Sequence, residues 1–356
     1  MTEKKILFFT PYPRDTAGSQ RFRFEQYYEA LENAGFKCEE SSFIGLRTWK
    51  ILYLKGKGWE KFWRLVLGFI RRKTLVNLSW RYDFVFIHRE LAPVGPPFFE
   101  WWMAKVLRRK VIYDFDDSIW MQSITNANSI AVNLKWHSKV KSICKWSYKI
   151  SCGNQFLVNY ASQFNDQVFY NPTTIDTVSQ HVPRSTNNEV PVIGWTGTHS
   201  TLKYLALIAE PLRKLAEKQA FIFRVIADEK PSFDIPNMQY KPWSKESEID
   251  DLNGIDIGVM PLEDNDWSKG KCGFKALQFM ALEKPVLVSP VGVNDEIVEE
   301  EVSGFHCFNE EDWVNRMEQL LLDAELRTKL GKEGRKKVEA EFSVKSNTKN
   351  FLSLFI

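Results

Sequence analysis

DIGVMPLEDNDWSKGKCGFKALQFMALEKPVLVSPVGVN, residues 256–294, is the stretch on which the fold of this chain turns. Asp256 to Met260 has the continuous apolar character of a buried strand, and Pro261 closes it. A polar loop then carries Lys269, Gly270, Lys271 and Gly273, and from about Phe274 to Leu282 apolar residues recur at helical spacing. Pro285 to Ser289 is a second buried strand. Strand, loop, helix and strand in that order form a parallel crossover unit. The N–H groups that open such a helix, set beside glycines and ammonium groups, suit a diphosphate, with each lysine acting as a point charge. A solvated surface loop before an ordinary helix has the same spacing, so spacing alone leaves both readings open.

The alternation continues in both directions. Val192 to Trp195 and Phe221 to Ala227 read as further strands, with helices near 202–218 and 311–322 and a highly charged helix over 325–341. Towards the N-terminus, Ile6 to Thr10, Asp83 to His88 and Lys110 to Asp114 repeat the buried-strand pattern, with helical spacing over 21–34 and 98–107. Residues 171–190 have the Pro, Ser, Thr and Asn content of a connector. The expected fold is α/β, with two doubly wound Rossmann-like domains facing an interdomain cleft. The expected bounds are 1–175 for the N-terminal domain, 191–335 for the second, and 336–356 for a C-terminal helix returning to the first. Ligands of such sheets bind at the C-terminal strand ends.

Composition is consistent with this. At roughly 150 residues per domain, 356 residues suggest two domains, and 44% hydrophobic with 26% charged content is that of a soluble globular chain. No apolar run reaches a membrane span; the best, Phe62 to Ile70, contains Arg64. The apolar residues after Met1 are too few for a signal peptide, so a cytoplasmic location is expected. Five scattered cysteines without a Cys-x-x-Cys pair suggest neither a disulfide framework nor zinc. The net charge of +3 conceals a split: residues 1–185 hold 27 Lys+Arg against 16 Asp+Glu, and the remainder hold 21 against 29. The first half therefore faces something anionic.

GFKALQFMALEKPVLVSPVGVNDEIV, together with Ser303-Gly304-Phe305, resembles the donor-binding segment of GT-B glycosyltransferases of the family 4 type, also called glycosyl transferases group 1. IGWTGTHST (193–201) looks like the first strand and turn of their donor domain, and GSQRFRFEQYYEAL (18–31) like their N-terminal turn and helix. DFVFIHRELAP and KVIYDFDDSIW look like segments of a branch acting in surface-polysaccharide assembly. The resemblance implies a retaining enzyme that moves a sugar from a nucleotide-activated donor to a saccharide acceptor, with the leaving phosphate helping to deprotonate the acceptor. It places Gly194, Trp195, Thr196, Gly197, Lys269, Gly270, Gly273, Phe274 and Gln278 on the donor, and Gly18, Arg21, Arg23, Arg89 and Glu90 on the acceptor side. Lys271, Lys275 and His88 are the catalytic candidates. The family's two signature glutamates, eight positions apart, fall here on Gly270 and Gln278, and Trp195 stands where the family has an arginine. Gln278 can still meet a ribose hydroxyl, whereas Gly270 offers no carboxylate. Loss of both acids also fits a silent relative acting as a binding or assembly partner. Asp114-Phe115-Asp116 matches the metal-binding Asp-x-Asp of GT-A enzymes, a third reading; GT-B enzymes generally need no metal, and no cofactor is expected.

Residues 46–82 carry ten Lys or Arg against Glu60 alone, interleaved with Trp49, Trp59, Trp63 and Trp80 and an apolar stripe of Phe62, Val66, Phe69 and Ile70. Residues 133–149 add five lysines and no acid. An in-plane interfacial helix on an anionic membrane has this make-up. Nucleic acid is the competing partner for a basic-aromatic stretch, and no nucleic-acid module is recognisable. The expected setting is the inner membrane face, and the expected acceptor is lipid-linked.

Overall fold

The computed structural model describes residues 3–52, 54, 56–121, 136–185, 188–232 and 234–356. The chain divides into two units, Met1–Pro172 with Thr348–Ile356, and Thr173–Asn347. Each is built on a six-stranded parallel sheet.

In the first unit the strands are β1 (Lys4–Thr10), β2 (Phe36–Ser42), β3 (Phe84–His88), β4 (Lys110–Phe115), β5 (Lys149–Cys152) and β6 (Val168–Tyr170), in the order β2-β1-β3-β4-β5-β6. The apolar runs of β1 and β3 are buried on both faces, as a parallel sheet requires. Phe8, Phe24 and Phe86 pack over it, and Phe351 stacks on Tyr27 with ring centroids 4.4 Å apart, so the C-terminal residues complete this core. The expected helix over 21–34 is broken into a turn at Gly18–Arg21, a tight turn at Glu25–Tyr27 and a helix at Tyr28–Asn33. The break lets Gln20, Arg23 and Glu25 turn inward, where a continuous amphipathic helix would have left some of them in water.

The second unit contains β7 (Val192–Gly197), β8 (Ile222–Ala227), β9 (Met238–Pro242), β10 (Ile257–Met260), β11 (Val286–Val288) and β12 (Gly304–His306), ordered β12-β11-β10-β7-β8-β9. The helices Ala206–Ala216 and Glu310–Leu322 cover one face through Ile208, Leu212, Trp313 and Met317. β2, β5, β6, β9 and β12 are absent from the sequence expectation. Several are edge or short strands with mixed polarity, such as Phe36–Ser42, whose periodicity is weak.

The connector expected over 171–190 is not a free linker. Thr174, Ile175 and His181 are fully buried, and Ile175 exchanges backbone hydrogen bonds with Phe342 and Val344. Arg335 donates to the carbonyls of Thr177 (2.9 Å) and His181 (3.0 Å), binding the segment to its own unit. Pro, Ser and Thr content signals an irregular backbone, and such a backbone can still be buried where its polar groups are paired.

Candidate active site

A doubly wound sheet opens a crevice at the C-terminal ends of the two strands where the order reverses. In the first unit these are β1 and β3, and the register across β3, β4 and β5 aligns His88, Asp114 and Ser151 side by side. Arg23, entering from the broken helical segment, completes a buried cluster. Its Nη2 donates to Asp114 Oδ1 at 2.5 Å, and Ser151 Oγ donates to the same oxygen at 2.6 Å. His88 Nδ1 lies 2.7 Å from Asp114 Oδ2. Burial alone would raise the Asp114 pKa, but the Arg23 charge and the His88 hydrogen bond outweigh it and hold the carboxyl well below the ordinary range. A carboxylate only accepts, so His88 Nδ1 donates to Asp114, and the other ring nitrogen, Nε2, lies 3.9 Å from Asp116 Oδ1. That nitrogen is buried and has no hydrogen-bond partner among the described residues.

Arg89 ends β3 with a left-handed backbone, φ 61°, and its Nε and Nη2 reach Asp116 Oδ1 at 2.8 and 2.7 Å. Glu90 pairs with the buried Lys139 at 2.6 Å. Gly18 is exposed at the start of its turn, and the Arg21 guanidinium lies over the Phe22 ring. Arg23, expected to contact the acceptor, is instead a buried counter-ion, an outcome only the broken helix makes possible. The two carboxylates of the Asp-x-Asp motif have protein partners as well. Both oxygens of Asp114 are engaged by protein donors and Asp116 holds Arg89, so the pair is committed to structural partners. Among the described residues no cluster of three or more His, Cys, Asp or Glu could hold a metal ion.

In the second unit the reversal lies between β7 and β10. Gly194 and Gly258 are register partners on these strands, and a Cβ at Gly194 would lie 2.3 Å from Ile255 Cδ1. Gly194 is thus a packing residue. Trp195 is 1% exposed, and its indole fills the space beside Gly197, 2.4 Å from where a Cβ would stand. Thr196 is buried, and Gly197 reaches the partly open strand end. The expected donor contacts at Gly194 and Trp195 are therefore replaced by core packing, since the short strand places their side-chain positions against Ile255 and Gly197.

The loop after β10 forms the better-exposed part. Gly273 adopts a left-handed conformation, φ 65°, and opens the helix Phe274–Ala281. A Cβ there would meet Ile297 Cδ1 at 2.1 Å, so both conformation and space demand glycine. Lys271 Nζ lies over the rings of Tyr204 (5.9 Å) and Trp267 (5.8 Å), and Lys275 Nζ over Trp195 (5.5 Å). Tyr204 follows β7 and Lys271 follows β10, so the segments past both reversal strands meet at these ammonium groups. Lys269 lies 3.4 Å from Asp264 and 3.5 Å from Asp266, which diminish its field, and Gly270 is buried behind it. Gln278 is 1% exposed and donates to Glu248 Oε1 at 3.3 Å, an acceptor shared with Trp243 Nε1. The expected ribose contact is thus held inside the unit by a carboxylate from another helix.

One pair escaped sequence reasoning: His199 Nδ1 lies 2.7 Å from Asp228 Oδ2 past the ends of the adjacent strands β7 and β8. A polar residue shortly after each of two buried strands was the available signal.

Residues 235–337, which include the lysine loop and its helix, match the family model described as Glycosyl transferases group 1. The protein is a glycosyltransferase. No curated protein matches it. Among solved structures, sucrose-phosphate synthase from Thermosynechococcus elongatus is similar at 14% identity, with 99% of this glycosyltransferase and 98% of that chain covered and a TM-score of 0.72. The catalytic domain of starch synthase IV from Arabidopsis thaliana, bound to ADP and acarbose, is 10% identical over 99% of this chain and 98% of its own, with a TM-score of 0.67. Anabaena HepE in complex with UDP-glucose is 14% identical over 98% of both chains, with a TM-score of 0.63. The fold of this glycosyltransferase is GT-B.

Proposed function

We propose that this glycosyltransferase takes a sugar from a nucleoside-diphosphate donor, with retention at the anomeric carbon, and passes it to a lipid-linked saccharide in surface-polysaccharide synthesis. The observation that carries the donor half is Gly273 opening the helix Phe274–Ala281 beside Lys271 and Lys275, inside the matched family segment. The bond between the anomeric carbon and the diphosphate breaks through an oxocarbenium-like state, and negative charge grows on the leaving oxygens. The helix N–H groups and the two ammonium groups are aimed at that charge, where preorganised donors lower the barrier. The complexes of HepE with UDP-glucose and of starch synthase IV with ADP support a nucleoside-diphosphate donor. On the acceptor side, His88, its ring oriented by Asp114, meets a sugar hydroxyl through Nε2, with Arg89 and Glu90 next to it in the chain.

The lipid half rests on the helix Gly58–Asn77. Its outer face presents Trp59 (73% exposed), Phe62, Trp63, Leu67 and Ile70, flanked by Arg64 and Arg71. Phe69 turns inward onto Phe43, and Arg72, one of the ten basic residues over 46–82, is fully buried. An exposed aromatic face with basic flanks suits the headgroup region of an anionic bilayer. No helix among the described residues is long and apolar enough to cross a membrane. Five lysines were counted over residues 133–149; residues 133–135 lie outside the described residues.

The test is a transfer and donor-hydrolysis assay over UDP-, GDP-, ADP- and CMP-sugars with Lys271→Ala beside the parent. One nucleotide class turns over, and the variant loses on the order of 100-fold or more. Equal turnover by the variant sinks the assignment of Lys271, and binding of a donor without turnover under any acceptor sinks the transfer reaction.

A further inference from the structure

Beneath the helix Gly58–Asn77, the first unit holds a pocket of about 390 Å³. This is the size of a small-molecule site. It lies at the β1/β3 reversal: Pro11 and Tyr12 follow β1, Phe43 and Ile44 follow β2, and Pro93 follows β3. Leu65 and Phe62 close it from the helix, and its charged wall residues are Lys61 and Glu90, the latter already paired with Lys139. Arg72 holds the helix in place by donating to the carbonyls of Thr10 (2.6 Å), Ser41 (2.7 Å) and Leu91 (2.9 Å), at or just past the ends of β1, β2 and β3. A pocket so lined offers little to a sugar or a nucleotide and much to a hydrocarbon.

We propose that this pocket binds one hydrocarbon chain of the phosphate-bearing lipid that carries the acceptor. The proposal rests on the lipid-linked acceptor argued above and adds where the lipid chain sits. Continuity identifies the occupant. Phe62 belongs both to the pocket wall and to the exposed aromatic face, so the pocket adjoins the face that meets the bilayer. Glu90, also in the wall, adjoins Arg89 in the chain, which puts the acceptor-side residues next to the pocket. Lys61 in the wall meets the lipid phosphate.

The test titrates the purified full-length protein with farnesyl phosphate and with dodecyl phosphate below their micelle concentrations, with inorganic phosphate as the chain-free control. At least one chain-bearing phosphate binds saturably, inorganic phosphate binds at least tenfold more weakly, and Ile44→Trp and Leu65→Trp, which fill the pocket from different walls, each weaken chain binding at least tenfold. A preference for farnesyl phosphate assigns an isoprenoid carrier and a preference for dodecyl phosphate an acyl lipid; either supports the pocket. Melting temperature, nucleotide-sugar binding and vesicle pelleting are recorded on the same samples. Undiminished chain binding by a filled variant that melts as the parent does, or no saturable chain binding by the parent, overturns the proposal. Because vesicle pelleting and nucleotide-sugar binding are read separately, such a failure leaves the membrane and transferase assignments standing, and their own failure is visible on its own.

Discussion

The two sheet ends handle positive charge in opposite ways. In the first unit, Arg23 and Arg89 are bound to Asp114 and Asp116, the first pair fully buried and the second partly exposed. In the second, Lys271 and Lys275 lie over aromatic faces, which attract a cation without cancelling its charge. Paired charges position a residue such as His88, whereas the ammonium groups over rings stand beside the helix that Gly273 opens. Disturbing the first arrangement is expected to be costly for folding, and disturbing the second for the proposed transfer.

The largest effect is expected at Asp114. Replacing it with Asn leaves Arg23 buried without its counter-ion and costs about 3–5 kcal/mol in urea-monitored stability. Its folded pKa is lowered, so its contribution is present above the ordinary Asp range and is lost as pH falls through the folded value. A loss under 1 kcal/mol would break the contrast. Next, Lys271→Ala and Lys275→Ala each reduce kcat/KM about 10²–10³-fold, roughly 3–4 kcal/mol, with melting temperature unchanged. Destabilised variants with normal turnover per folded molecule would assign these lysines to packing.

A buried carboxyl with no cationic partner among the described residues sharpens the comparison. Burial raises the Glu25 pKa to about 7, against hydrogen bonds from Gln20 and Asp15 that lower it. A raised folded pKa means its contribution is intact below the unfolded value and is lost as pH climbs through about 7. Glu25→Gln should remove about 1–3 kcal/mol of the decline in stability between pH 5 and 8. An unchanged pH profile rules out Glu25 as the source. On the outer helix, Arg71→Gln weakens pelleting with anionic vesicles by about 1 kcal/mol, less so in high salt, and Arg64→Gln weakens it less, since Glu60 already pairs with Arg64 at 2.9 Å. Smallest is Lys269→Ala, expected to change kcat/KM less than threefold, because Asp264 and Asp266 already oppose its charge.

The comparison also separates what was legible from what was not. The β10-loop-helix-β11 unit was readable because parallel strands buried on both faces are continuous apolar runs, and because Gly273 and its lysines are close in sequence. The edge strand β2 was not, since Phe36–Ser42 alternates poorly and is held by pairing with β1. Motif spacing did not reveal the burial of Trp195 and Gln278, because position along a motif says nothing about which face of a strand or helix meets the core.

By itself the sequence determined the α/β class, the β10 to β11 crossover and the segregation of basic residues into the first half, because these follow from local periodicity and composition. Only the tertiary structure decided that Arg23 and Arg72 are buried, that Asp114 bonds both Arg23 and His88, and that an apolar pocket lies under the basic helix. Those outcomes depend on register between strands distant in sequence and on the desolvation of charges, which stays favourable only where partners from separate elements converge.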